Sequence, residues 1–172
     1  YLMSVYIAEN PTFTTIDAGF AQQCRNLQYL QFYRNGIVTI DPYAFKGLSL
    51  VTNLMLMDNQ ITCLPPNVFV DMLSITNIDL SNNRITALGT DTFKGLGALY
   101  YLQLTNNQIA YLGNMDFTGT GIGGMGMGGI YIMLDANPIM AIHNRVLTNF
   151  FASRTTSQSS TQISFSNPYN NI

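Results

Sequence analysis

The hydrophobic and polar positions of the chain repeat with a fixed period of 24 residues. In the stretch from 75 to 93, apolar positions surround a lone Asn83. The four nearest are Ile78, Leu80, Ile85 and Leu88. This spacing fits neither an α-helix of about 3.6 residues per turn nor a long alternating strand. It fits a short strand, a bend and a return path, which together make one turn of a solenoid.

Four consecutive units share every column of this pattern. Their marker asparagines are Asn35, Asn59, Asn83 and Asn107. Each has apolar residues five and three positions before it, isoleucine two positions after it, an aliphatic residue five after it and phenylalanine ten after it. Weaker copies lie around Asn10, where the pattern slips by one residue, and around Asn137, which comes 30 residues after Asn107. The segment from Ile163 to Tyr169 indicates the strand and bend of a seventh turn.

The repeated apolar columns predict one continuous core. Each short strand should pair in parallel with the next turn, about 4.8 Å away, because one turn alone cannot bury its apolar face. The buried asparagines can satisfy backbone groups where the chain leaves each strand. A spine of stacked rings is predicted for Phe20, Phe45, Phe69, Phe93 and Phe117.

The pattern Leu-x-x-Leu-x-Leu-x-x-Asn-x-Ile resembles that of leucine-rich repeats. The length of 24 residues, with phenylalanine late in the unit, resembles the typical subclass found in Toll-like receptors and lamprey variable lymphocyte receptors. The resemblance implies an α/β-type repeat solenoid: a curved horseshoe with a parallel concave sheet and short turns or 3₁₀ pieces on the convex side. We expect a single domain over residues 1–172, with about six to seven repeats.

The chain departs from that subclass because the cysteine caps expected at both ends are missing. Asn167, Pro168 and Tyr169 resemble the Asn-Pro-Trp that opens a C-terminal cap, but no cysteine follows them. Uncapped ends expose a cross-section of the core and unpaired strand edges. We therefore expect a fragment, polar segments that cover the ends, or ends that pair with another copy.

Side chains that alternate with the core residues of each strand should face the concave side. There they are rich in tyrosine, methionine, asparagine and glutamine, with few charges. Tyrosine gives a large contact area at low entropic cost, and methionine adapts its shape. The surface therefore suits recognition of a protein or a glycan. The alternative is a plain scaffold, since tyrosine and threonine are also good strand formers.

The candidate ligand-binding residues form two groups of large side chains separated by a polar stretch. They are Tyr29, Gln31, Tyr33, Met55, Met57, Asp79, Tyr101, Gln103, Tyr131 and Met133. We expect the strongest contacts in either the Tyr29–Met57 group or the Tyr101–Met133 group. Asn77, Asp79 and Ser81 form the exposed polar stretch between them.

The composition excludes several classes of partner. Only 9% of the residues are charged, against roughly 25% in an average soluble domain. The net charge of −2 argues against nucleic acid, which needs a basic stripe. No apolar run reaches the roughly 20 residues that span a bilayer. The resemblance implies an extracellular or cell-surface location; the alternative is a cytoplasmic adaptor.

The sequence contains no catalytic or metal-binding constellation. His143 is the only histidine and Glu9 the only glutamate, so neither a metal cage nor a pair of carboxylates for acid–base catalysis emerges. Cys24 and Cys63 fall in different columns of the repeat, which makes a disulfide between them unfavourable. We expect a protein that is not an enzyme and that needs no cofactor.

A glycine-rich insert over residues 119–129 lengthens one repeat. It has no lysine, so it does not match a phosphate-binding loop. It is either a flexible connection or a contact finger anchored by Met125 and Met127.

Two functions follow from these observations. The first is a non-catalytic recognition module that binds a protein or a glycan through the concave face. The alternative is a structural component of an extracellular matrix, wall or filament that self-associates through its open solenoid ends.

Overall fold

The computed structural model describes residues 2–113, 130–143 and 162–164. These residues contain eleven short strands. In chain order the strands are β1 (Ser4–Tyr6), β2 (Thr15–Ile16), β3 (Tyr29–Gln31), β4 (Thr39–Ile40), β5 (Asn53–Met55), β6 (Asn77–Asp79), β7 (Tyr101–Gln103), β8 (Tyr111–Leu112), β9 (Tyr131–Met133), β10 (Ala141–Ile142) and β11 (Gln162–Ser164).

Seven of these strands form one open parallel sheet in the order β1-β3-β5-β6-β7-β9-β11. Each repeat contributes one strand, and each central apolar residue faces its equivalent in the next strand, as Leu54 faces Ile78. A register shift by one residue would move these core side chains into solvent, which explains why the sequence period fixes the pairing. The strand predicted near Ile163 is present as β11 and pairs with β9. The predicted parallel sheet is confirmed.

The return path of each repeat consists mainly of turns. Two short parallel pairs, β2 with β4 and β8 with β10, lie where the chain begins to return. Within the described ranges no helix occurs, so turns rather than 3₁₀ pieces make up the convex side there. Gly47 and Gly95 have φ angles of 78° and 77°, a left-handed conformation that glycine adopts without a steric penalty. The predicted solenoid class is confirmed.

The core asparagines form a ladder that joins each turn to its neighbours. Asn59 Oδ1 accepts hydrogen bonds from the amides of Asn35 and Ile37, both at 3.2 Å. Its Nδ2 donates to Phe32 O at 2.7 Å and Leu56 O at 3.0 Å. Equivalent contacts recur down the stack to Asn137, which is 3% exposed. The ladder therefore satisfies backbone groups at the point where the chain bends, as the sequence predicts.

The aromatic spine is shorter than its predicted length. Phe45, Phe69 and Phe93 stack in sequence, with ring centroids 5.9 Å apart at each step. Phe20 departs from the stack and packs edge-on against Phe32, with centroids 5.3 Å apart. The first repeat has one extra residue between its strand and its return path, because Tyr6 pairs with Gln31 whereas Ile16 pairs with Ile40. The buried Ala21 therefore takes the position equivalent to Phe45, and Phe20 lies one residue before it. Phe117 lies outside the described residues.

Two backbone segments approach each other closely beside the first bend. A Cβ atom added to Gly36 would stand 2.2 Å from the carbonyl oxygen of Pro11. Only glycine fits this position without movement of the backbone. The irregular first repeat therefore depends on a residue that the regular repeats do not need.

Candidate functional site

The concave face of the sheet is built from three columns of side chains that alternate with the core residues. The first column is Ser4, Tyr29, Asn53, Asn77, Tyr101, Tyr131 and Gln162, in the register of the strands. The second is Tyr6, Gln31, Met55, Asp79, Gln103, Met133 and Ser164. The third follows two residues later and includes Tyr33, Met57, Ser81, Thr105 and Asp135. All ten candidate residues lie in these columns, and Tyr29 is 42% exposed.

A cluster of tyrosines lies at the N-terminal end of this face. The hydroxyl groups of Tyr6 and Tyr33 are hydrogen-bonded to each other, and their rings meet edge to face with centroids 5.4 Å apart. The hydrogen bond to Tyr33 raises the pKa of Tyr6 above its ordinary value, because it stabilises the neutral phenol. Tyr6 is 61% exposed and joins the predicted group as a member that the candidate residues did not include.

A second tyrosine cluster lies toward the C-terminal end. Tyr101 and Tyr131 are direct neighbours across β7 and β9. The ring of Tyr100 meets that of Tyr131 edge to face, with centroids 5.1 Å apart. The hydrogen bond to Tyr131 raises the pKa of Tyr100. Sequence reasoning missed Tyr100 because it precedes the strand; the available signal was a large aromatic residue in a column that holds Gln28, Thr52 and Thr76 elsewhere.

The stretch between the two clusters is polar, but it is less open than the sequence predicts. Asp79 Oδ1 accepts hydrogen bonds from the Ser81 amide at 2.9 Å and from Ser81 Oγ at 2.6 Å. Ser81, predicted to be exposed, is only 9% exposed, because this bond folds its short side chain against Asp79. The open groups of the middle stretch are the amides of Asn53 and Asn77, both half-buried.

A ladder of charged and amide side chains follows one rim of the concave face. Arg34 lies 3.4 Å from Glu9 and 3.7 Å from Asp58, measured between nitrogen and carboxylate oxygen. Asn82 Nδ2 donates to Asp58 Oδ1 at 2.8 Å, and Asn106 Nδ2 donates to Asn82 Oδ1 at 2.8 Å. All five have φ angles between 54° and 58°. The left-handed bend thus aligns equivalent side chains into what we call the rim ladder.

The two cysteines are free thiols in different surroundings. Cys24 is partly buried and packs against the core, whereas Cys63 is exposed. In the described part of the chain, no group of three or more histidine, cysteine or acidic side chains has a geometry that holds a metal ion. The glycine-rich insert, with Met125 and Met127, lies outside the described residues. None of the residues described forms a helix of the length and apolar character that crossing a bilayer requires.

Comparison with known proteins identifies the repeat. The family model described as leucine-rich repeat matches residues 1–61, 49–109 and 74–119. No curated protein matches the sequence.

Solved structures share the fold at low sequence identity. A leucine-rich-repeat protein of Leptospira interrogans is 23% identical with a TM-score of 0.62, over 95% of this chain and 37% of that one. TLR13, solved in complex with ssRNA13, is 21% identical with a TM-score of 0.54, over 77% and 24%. The human trophoblast glycoprotein (Wnt-activated inhibitory factor 1) is 16% identical with a TM-score of 0.55, over 96% and 69%.

The chain spans only 37% and 24% of the first two structures. At these identities the similarity establishes the fold alone. The family model covers most of the chain, including every regular repeat. The asparagine ladder explains why each regular repeat carries an asparagine at the same position. The chain belongs to the leucine-rich repeat family.

Proposed function

We propose that this protein is a non-catalytic recognition module that binds a protein or glycan ligand through its concave face. The observation that carries the proposal is the pair of tyrosine clusters on one sheet, around Tyr6–Tyr33 and Tyr100–Tyr131. Tyrosine rings with both an apolar body and a hydroxyl group are common anchors in recognition surfaces. The parallel sheet and the asparagine ladder fix the strands that carry these rings, so little backbone ordering accompanies binding.

The family supports this proposal, since leucine-rich repeats generally bind protein partners and are generally non-catalytic. TLR13 was solved in complex with ssRNA13. We propose no nucleic-acid ligand for this chain, because it has seven lysine and arginine residues against nine acidic ones and nucleic acid requires a basic surface.

The test removes the predicted Tyr29–Met57 group. A variant with Tyr29, Tyr33, Met55 and Met57 all changed to alanine should lose capture of ligands from a glycan array and from a displayed protein library, and should stay monomeric. The matched control changes Tyr43 and Tyr111, which are 64% and 49% exposed outside the concave sheet, and should bind normally. Capture that survives the four substitutions contradicts the proposed surface.

Self-association through the solenoid ends is the second candidate function. One observation favours it: Leu2 and Met3 are 54% and 50% exposed beside β1, the edge strand of the described sheet. Exposed apolar side chains next to an edge strand promote pairing with another chain. Light scattering distinguishes the two functions, because assembly predicts multimers that dissociate when Leu2 and Met3 are changed to lysine, with the concave tyrosines intact.

We propose an extracellular or cell-surface location, with a cytoplasmic adaptor as the alternative. The exposed thiol of Cys63 offers a direct test. A membrane-impermeant maleimide should label the protein on intact cells that express it, and Cys63→Ser should abolish most of the label. Labelling that requires cell lysis supports the cytoplasmic alternative.

A further inference from the structure

We propose that the ligand of the concave face is a neutral, extended, β-linked polysaccharide that crosses the strands with about one sugar ring above each. This inference rests on the proposed function and specifies the ligand class of the same surface. It is argued from the first column of the face, whose regular spacing, central amides and lack of charge each point to a sugar polymer.

The first column repeats hydrogen-bonding side chains at the spacing of the strands. Tyr29 faces Asn53, Asn53 faces Asn77, and Asn77 faces Tyr101 across successive parallel strands. Three strand steps separate the two rings by about 14 Å. A periodic polymer that lies across the strands meets an aromatic ring, two amides and a second ring in turn. Tyr131 extends the row by one more ring.

The amides in the middle of this row have unused hydrogen-bonding capacity. Asn53 Oδ1 accepts a hydrogen bond from Thr52 Oγ1 at 2.8 Å; among the described residues, its Nδ2 has no protein partner, and neither does the side chain of Asn77. Gln31, in the neighbouring second column, is likewise unpaired among the described residues. Each amide group both donates and accepts hydrogen bonds. Sugar hydroxyl groups do the same, so neighbouring hydroxyls of one chain complement a row of amides.

The tyrosine rings complement the remaining part of a sugar. An aromatic ring carries negative charge density on its face, and the C–H groups on one face of a β-linked pyranose are weakly positive. Tyr29, which is 42% exposed, offers such a ring at one end of the amide row. Small-molecule sites typically combine a few polar groups that fix the orientation of the ligand with rings that supply contact area.

Charge on this face is scarce. Its acidic side chains in the described residues are Asp79 and Asp135, and each accepts a hydrogen bond from a serine hydroxyl, at 2.6 Å and 2.7 Å. The ion pairs of Arg34 lie on the rim and not in the columns. The first column itself holds no charged side chain, so an anionic polysaccharide finds no counter-charge along the row, whereas a neutral chain needs none.

The test is calorimetric titration of the full chain with three hexasaccharides. Cellohexaose and chitohexaose (N-acetylated) are neutral and β-linked, and a heparin hexasaccharide is the charged comparison. At least one neutral probe should bind, and a tenfold increase in NaCl concentration should change its affinity by less than about twofold. Tyr29→Ala should weaken binding about tenfold, Asn77→Ala should weaken it less, and Tyr43→Ala, outside the concave sheet, should leave it unchanged.

Three results overturn this inference: neither neutral probe binds at millimolar concentration, the heparin hexasaccharide binds more tightly, or Tyr29→Ala and Asn77→Ala bind like the parent protein. Tyr29→Phe keeps the ring and should retain most of the affinity, which separates loss of stacking from misfolding. If the sugars fail while protein capture still depends on the concave tyrosines, only this inference fails. If capture of every ligand is indifferent to them, the proposed function fails as well.

Discussion

Removal of the Asn83 side chain should destabilise the protein by an amount that its hydrogen bonds define. Asn83 is 7% exposed, and its Oδ1 accepts from the Ile61 amide at 3.0 Å. Its Nδ2 donates to three carbonyl oxygens, of Leu56 at 2.9 Å, Leu80 at 3.1 Å and Ser81 at 3.1 Å. The substitution Asn83→Ala deletes all of these hydrogen bonds at once.

The substitution affects the former hydrogen-bond partners of Asn83 unequally. Each of the three carbonyls keeps a second donor. These donors are Asn59 Nδ2 for Leu56, Asn107 Nδ2 for Leu80 and the Asp58 amide for Ser81. In the described structure the Ile61 amide has no other acceptor, and Ile61 is fully buried. One orphaned buried donor costs about 1–3 kcal/mol, and with the lost bonds of Nδ2 we expect a total near 3 kcal/mol.

The assay combines urea unfolding, followed by circular dichroism, with hydrogen exchange at the Ile61 amide. The second readout is local, so it remains valid if the repeats do not unfold as a single unit. Asn77→Ala is the matched control, since Asn77 is half-buried with an unpaired side chain among the described residues, and it should change stability by less than about 0.5 kcal/mol. A loss for Asn83→Ala no larger than this control, with Ile61 still protected, would refute the ladder argument.

The substitution Asn83→Asp tests the direction in which the stability difference changes with pH. It keeps the acceptor for Ile61 but turns an oxygen toward the Leu56 carbonyl, where a donor stood at 2.9 Å. A buried carboxylate in this position is unfavourable, so folding raises the pKa of the new carboxyl group. A raised carboxyl pKa means that the folded state holds its proton more tightly, and the deficit against the parent protein should shrink as pH falls. A deficit that grows on acidification contradicts this geometry.

Three further substitutions test single positions by thermal or urea unfolding. Ala136→Asn should stabilise the protein by up to about 1 kcal/mol, because asparagine tolerates a positive φ better than alanine. Ala136 has a φ of 55° at the next position of the rim ladder. An unchanged unfolding midpoint refutes this expectation. Thr92→Val should stabilise the protein by about 1 kcal/mol, since Thr92 Oγ1 is buried without a partner in the described structure. Val68 fills the equivalent position of the preceding repeat. A loss of stability would contradict the absence of a partner for this hydroxyl group. Gly36→Ala should destabilise by about 1–3 kcal/mol through its clash with Pro11, and a neutral result would mean that the first bend is compliant.

The sequence predicts the sheet well because the repeat leaves little freedom. Once Asn83 is placed at a bend, the apolar residues before it must face inward and those between them must face the concave side. The pairing of Tyr101 with Tyr131 follows from the period even across the glycine-rich insert, since the strands on both sides retain the same columns. The repeat pattern predicts positions along the chain, and parallel register converts those positions into spatial neighbours.

Side-chain direction at the edges of the pattern was not predictable in the same way. Tyr100 occupies a column where Thr76 Oγ1 donates to the Thr52 carbonyl at 3.0 Å, a bond that belongs to a short hydroxyl side chain. A tyrosine extends beyond that carbonyl, and its ring lies against Tyr131 instead. Ser81 shows the opposite case, because a hydrogen bond to Asp79 draws an expected surface residue inward. Both outcomes depend on rotamers, on which a hydrophobic period carries no information.

The two ladders differ in burial and in charge. The asparagine ladder is buried and determines stability, whereas Arg34 in the rim ladder is 63% exposed at its side chain, where ion pairs add little to stability. Exposed pairs of this kind act mainly on the orientation and rate of an encounter. The charged part of the rim, Glu9 to Asp58, borders the N-terminal tyrosine cluster, and the amides Asn82 and Asn106 border the polar middle. Under the proposed function, this rim would orient a charged protein ligand at the N-terminal end, whereas the neutral polysaccharide proposed above would draw its affinity from the rings and amides of the first column.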